Sequence, residues 1–135
     1  MDNKFLSVSN PPDIADLGPA EAAALAAAAR ALGFGVFELD GAAMGTKAEL
    51  MEHAAARLAF PGDFGGNWDA LIDYLGDMPH IHKNEKIFVL VRNSAEMEKA
   101  DPKLYADLRE AAGLACENAR EWSGGRVILK FAFLP

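Results

Sequence analysis

Three aspartates recur every four residues in PGDFGGNWDALIDYLGD, at Asp69, Asp73 and Asp77. On a helix that spacing stacks them along one face, where like charges cost about 0.2–0.5 kcal/mol per pair. Carboxylates grouped this way suit three kinds of chemistry. Glycoside hydrolysis needs two carboxyl groups opposed across a cleft, one of them kept protonated by its surroundings. Side chains one turn apart on a solvated helix offer neither condition. Metal binding would join Asp77 to His80 and His82 of MPHIHKNE, but two histidines and one carboxylate in a short loop make an incomplete ligand set. Recognition of a cationic partner needs only an exposed acidic face, and a solvated face with no partner has the same pattern.

The element that carries these residues is legible. Asn67 is placed to cap a helix by accepting a first-turn N–H. At about 100° per residue, Trp68, Leu71, Ile72 and Leu75 converge on one side and the three aspartates on the other. The helix dipole favours Asp69 in the first turn, an excuse that Asp73 and Asp77 lack. Gly65 and Gly66 precede the helix, and chain without side chains lets a partner approach closely. Taken on their own, these glycines are better explained by a plain turn.

Around this centre the chain reads as alternating helices and strands. Residues 1–17 look irregular, interrupted by Pro11, Pro12 and Gly18. PAEAAALAAAARALG is a helix, opened by Pro19 and stopped by Gly33. GFGVFELDG is a strand ending in an Asp40-Gly41 turn. TKAELMEHAAARLAF is a helix, with Thr46 and Glu49 forming a capping box. His53 lies on it without an obvious partner. KIFVLVRN reads as a strand buried on both faces. MPHIHKNE, before it, reads as an exposed loop entering that strand. The longest helix follows, with Asp101 as N-cap and Pro102 at its first position. Leu104, Leu108, Ala111, Ala112, Ala115 and Ala119 line its apolar face, which Trp122 continues. Trp68 and Trp122 are expected as core anchors. RVILKFAFL is the last strand. Strands separated by helical crossovers predict a small parallel sheet of three strands packed with helices. Residues 1–33 form an appended N-terminal arm with an Ala-rich helix, and 34–135 form the main domain.

Bulk properties narrow the function. The chain has 135 residues and a net charge of −7. An acidic surface repels phosphate backbones, which argues against direct nucleic-acid binding, and it steers basic proteins inward. No apolar run approaches the ~20 residues of a membrane span, and MDNKFLSVSN lacks the pattern of a signal peptide. The single cysteine, Cys116, cannot form an internal disulfide and reads as a buried structural residue. A cytoplasmic protein without cofactor or metal is expected.

The stretch DFGGNWDALIDYLGD resembles the barstar-type ribonuclease inhibitors, in which an aromatic-glycine turn leads into Asn-x-Asp-Ala-Leu-x-Asp-x-Leu. Here it is Phe64-Gly65, then Asn67, Asp69, Ala70, Leu71, Asp73 and Leu75. The order of elements also matches over about residues 35–134, leaving 1–33 outside. The resemblance implies a barstar-like α/β fold and an inhibitor, not an enzyme. It would plug the cationic active site of a basic, secreted-type ribonuclease with the acidic helix and the preceding loop. Asp73 would be the main anchor, in place of an RNA phosphate, and Asp69 would pair with a basic residue nearby. The implied partner-binding set is Asp63, Phe64, Gly65, Gly66, Asn67, Asp69, Ile72 and Asp73. A glutamate near the end of the long helix completes it, with Glu117 and Glu121 as candidates and Glu121 preferred. Two positions depart from the family pattern: Ile72 and Asp63 stand where its best-known member has aromatics. The alternative is a non-inhibitory interaction module of the same fold, binding another basic partner.

Overall fold

The computed structural model describes residues 4–135. Residues 1–3, part of the stretch expected to be irregular, lie outside the described residues. The elements in chain order are α1 (Lys4–Ser7), β1 (Ile14–Asp16), α2 (Pro19–Ala31), β2 (Gly35–Asp40), a 3₁₀ turn (Gly41–Ala43), α3 (Lys47–Arg57), α4 (Trp68–Gly76), α5 (Met78–Ile81), β3 (Lys86–Arg92), α6 (Ser94–Ala100), α7 (Pro102–Ser123) and β4 (Ile128–Phe133).

The sheet is parallel throughout, in the order β1-β4-β3-β2. It therefore has four strands where three were expected. The additional strand pairs Ile14 with Phe131, Ala15 with Ala132 and Asp16 with Phe133. Three residues are too few to display a period of two, so β1 has no signature of its own. The open edge of β4 creates it. Phe131 donates its N–H to Asp13 at 3.0 Å, and Leu17 donates to Phe133 at 2.9 Å.

Period-two alternation divides the sheet's two faces. Ile87, Val89 and Val91 of β3, with Leu129, Phe131 and Phe133 of β4, face a core built from α3, α4, α6 and α7. Phe88, Leu90 and Ala132 point the other way, into a smaller core with Leu6, Leu25, Ala29 and Phe34. Helices α1 and α2 thus cover the second face, which explains the unbroken apolar run of β3. Lys130 also turns toward this side and is 1% exposed. Its ammonium donates to the carbonyls of Asn10 (2.7 Å) and Pro12 (2.8 Å) and lies 3.3 Å from the Asp13 carboxylate. Burial lowers the Lys130 pKa, and the neighbouring Asp13 carboxylate opposes that shift.

Several local expectations hold. Thr46 caps α3 by accepting from Glu49 N–H. Asp101 caps α7 by accepting from Leu104 N–H, and Gly124 ends it at φ 64°. The six expected apolar residues of α7 are buried, as is Cys116, whose thiol is pushed well up by burial. Trp122 departs from expectation and is 49% exposed. Helix α7 outruns α4, so the indole rests against a helix end instead of a core, donating to the Gly76 carbonyl at 3.1 Å. Trp68 is half-buried against the main core. MPHIHKNE is only partly the expected loop, since Met78 and Pro79 are buried at the start of α5. His53 has a partner after all: the Asp40 N–H donates to its Nε2 at 2.9 Å.

Candidate functional site

Helix α4 is set by its cap and its apolar side. Asn67 accepts the Ala70 N–H at 2.9 Å. Leu71 and Leu75 are buried in the main core. At Gly76 the helix comes so close to α7 that an added Cβ would lie 3.2 Å from the Ala115 carbonyl oxygen. These contacts fix the rotation of α4 and turn Asp69, Asp73 and Asp77 outward, all exposed. None of the three carboxylates has a hydrogen bond or ion pair among the described residues. They form an open, negatively charged face on a rigid support, suited to a cationic surface.

The loop before α4 is pinned from the same helix. The Tyr74 hydroxyl donates to Asp63 at 2.7 Å. That bond, with the negative charge beside it, raises the Tyr74 pKa. Phe64 packs on Tyr74 and edge-on to Phe60, with ring centroids 5.3 and 5.1 Å apart. Gly66 then takes a left-handed conformation, φ 69°, that a side chain would strain. Phe64, Gly65, Gly66 and Asn67 thereby lead directly into the acidic face. Asp63 stands beside it with its carboxylate already engaged.

The last helix contributes differently from the glutamates singled out in the sequence. Glu121 is exposed on the final turn of α7. Glu117 lines a groove with Pro11, Pro12 and Ile14, toward the N-terminal segment. The α7 residues that line a groove with Ile72, Asp73 and Asp77 are Asn118 and Trp122. The sequence reading passes over Asn118 and assigns Trp122 to the core. Their signal lies in the register of α7 against α4, which no local pattern reports. Ile72 is half-buried at the rim between Asp73 and α7.

The histidines near the site serve the fold. His82 Nε2 lies 2.8 Å from the Leu58 carbonyl oxygen, and the ring packs on Phe37 with centroids 4.5 Å apart. His80 is exposed on α5. Among the described residues, no three His, Cys, Asp or Glu side chains are grouped to hold a metal ion.

A comparison with protein-family models matches residues 34–131 to Barstar (barnase inhibitor). No curated protein matches the chain. The matched span opens beside β2 and takes in the pinned loop, the acidic helix, all of α7 and most of β4. Residues 1–33 lie outside it. A match over most of the chain, which includes the outward-facing acidic helix, shows that the chain belongs to the barstar (barnase inhibitor) family.

Proposed function

We propose that this protein inhibits a basic, secreted-type ribonuclease by occluding its active site with α4 and the loop before it. The observation that carries the reading is that Asp69 and Asp73, exposed on a helix locked to the core, have no partner among the described residues and lie within the span matched to the barstar family. Asp73 takes the place of an RNA phosphate against the enzyme's cationic side chains. A carboxylate desolvated against a guanidinium forms charge-assisted, often bidentate bonds. Asp69 pairs with a second basic residue. Gly65 and Gly66 let the enzyme approach the backbone, and Glu121 supplies a rim charge from α7. The protein carries out no chemistry of its own and acts in the cytoplasm, protecting the cell that makes the enzyme. The inhibitory surface lies within residues 34–135, and residues 4–33, outside the matched span, back the sheet that supports it.

A second reading is a non-inhibitory module that binds another basic partner. It is favoured by Ile72, and by Asp63, whose carboxylate is tied to Tyr74. Pull-down from the source cell, followed by ribonuclease assays on what is retained, separates the two. Retention and inhibition of a ribonuclease at micromolar protein support the first. Capture of a basic protein whose activity is untouched supports the second.

A further inference from the structure

Ile72 separates two grooves along the seam between α4 and α7. One holds Asp73, Asp77, Asn118 and Trp122. The other, of about 250 Å³, has Trp68, Ile72, Ala111 and Leu114 as walls, with Asp107 and Glu110 beside them. We propose that this second groove seats a lysine or arginine side chain of the protein partner, extending the interface from α4 onto the first half of α7.

The chemistry of the lining selects that occupant. Four apolar side chains suit the methylene stem of a long cationic residue, and the two acids receive its head. Asp107 and Glu110 are three residues apart on α7, so they are neighbours on its surface. A purely apolar side chain would cover both acids without pairing them, which is unfavourable. An anion would be repelled. The volume falls below the roughly 300–1,000 Å³ of small-molecule sites, which fits one side chain better than a free ligand. The groove is ready for such a partner. Leu114 is 39% exposed. Glu110 has no hydrogen bond or ion pair among the described residues. Among the described residues Asp107 is held by Lys103 alone, at 2.9 Å, a pair in which the lysine is 81% exposed and which an incoming cation exchanges readily. Trp68 is packed against the core, so that wall is already in place.

The identity of the partner rests on the inhibitor reading, whereas the slot's preference for a cationic side chain does not. The test therefore uses a small probe. The methyl signals of Ile72, Ala111 and Leu114 and the Trp68 indole signal are followed while N-acetyl-arginine methylamide is added at low salt. Saturable shifts in the millimolar range are expected, weakened severalfold in Glu110→Gln, an exposed substitution that leaves the fold intact. The citrulline analogue is a control of equal reach without charge, and the norleucine analogue supplies an uncharged apolar stem. Equal shifts with either control would show an apolar groove indifferent to charge and would overturn the proposal. So would arginine shifts confined to the Asp69–Asp73 face, or none at all. A saturated slot in a protein that inhibits no ribonuclease would retire the inhibitor reading and keep this one.

Discussion

The Tyr74 hydroxyl reaches back across eleven residues to donate to Asp63 at 2.7 Å. It thereby ties the loop before α4 to the exposed side of the helix it precedes. Phe64 adds a ring contact to the same tyrosine, so one side chain governs the shape of the loop. Tyr74→Phe keeps that packing and removes the bond. Hydrogen exchange should quicken severalfold at the amides of Phe64, Gly65 and Gly66 while thermal unfolding hardly moves. Unchanged exchange there would mean that ring packing alone holds the loop.

Asp73→Ala should act in opposite directions on binding and folding. Breaking a charge pair that is buried in the complex costs about 3–5 kcal/mol, so affinity for the captured ribonuclease should fall by at least a hundredfold. In the free protein the same change removes repulsion toward Asp69 and Asp77, for a gain of about 0.2–0.5 kcal/mol per pair. Titration calorimetry and urea unfolding measure the two effects. A variant that binds as tightly as the wild type would remove Asp73 from the site.

The −7 charge and the acidic face predict an on-rate that falls as salt rises, because the Debye length shrinks to about 8 Å at physiological ionic strength. Stopped-flow association between 20 and roughly 500 mM salt checks this. An on-rate indifferent to salt would count against electrostatic steering.

His53 sets a limit at the acidic end. Burial, and then the charge of Arg57, lower its pKa, while Asp40 opposes them. The neutral ring accepts the Asp40 N–H, and an imidazolium has no lone pair left to do so. The unfolded chain binds a proton near pH 6.5, and the folded chain does so only at lower pH. This contribution is therefore complete above about pH 6.5 and is lost as pH falls through the lower folded value. Denaturation midpoints should drop from pH 7.5 to pH 5, and His53→Gln should flatten that part of the curve. A parallel drop in the variant would place the effect elsewhere.

Lys130→Met tests the hold of the N-terminal segment. It leaves the carbonyls of Asn10 and Pro12 without their donor, a cost of about 1–3 kcal/mol for buried polar groups. Exchange at the Leu17 and Phe131 amides, which pair β1 with β4, should quicken more than exchange in β3. Uniform loosening of all four strands would show that Lys130 supports the sheet as a whole.

Much of this architecture is legible in the sequence alone. The caps Thr46, Asn67 and Asp101 and the stop Gly33 are local, because groups a few residues apart decide them. The buried run of β3 and the apolar stripe of α7 are periodic over enough residues to be unambiguous. Strand β1, α5 and α6 were not readable. Each is short, and its partners lie far away in the chain: Phe131 for β1, and for α6 the main core into which Met97 is buried.

By itself the sequence determined that an acidic, amphipathic helix would stand at the centre of an α/β domain, with Asp69 and Asp73 on its solvent side. Those are consequences of helical period and capping, which act over a few residues. Only the tertiary structure decided what surrounds that face. The close approach of Gly76 to Ala115 aligned α4 with α7, brought Asn118 and Trp122 rather than Glu121 beside Asp73, and opened the groove at Leu114. It also recruited Ile14–Asp16 into the sheet and buried Lys130 beneath the chain before it. The physical reason is the same in each case. These outcomes depend on how two distant segments share one surface, and that pairing is selected by the whole packed core rather than by the residues that meet there.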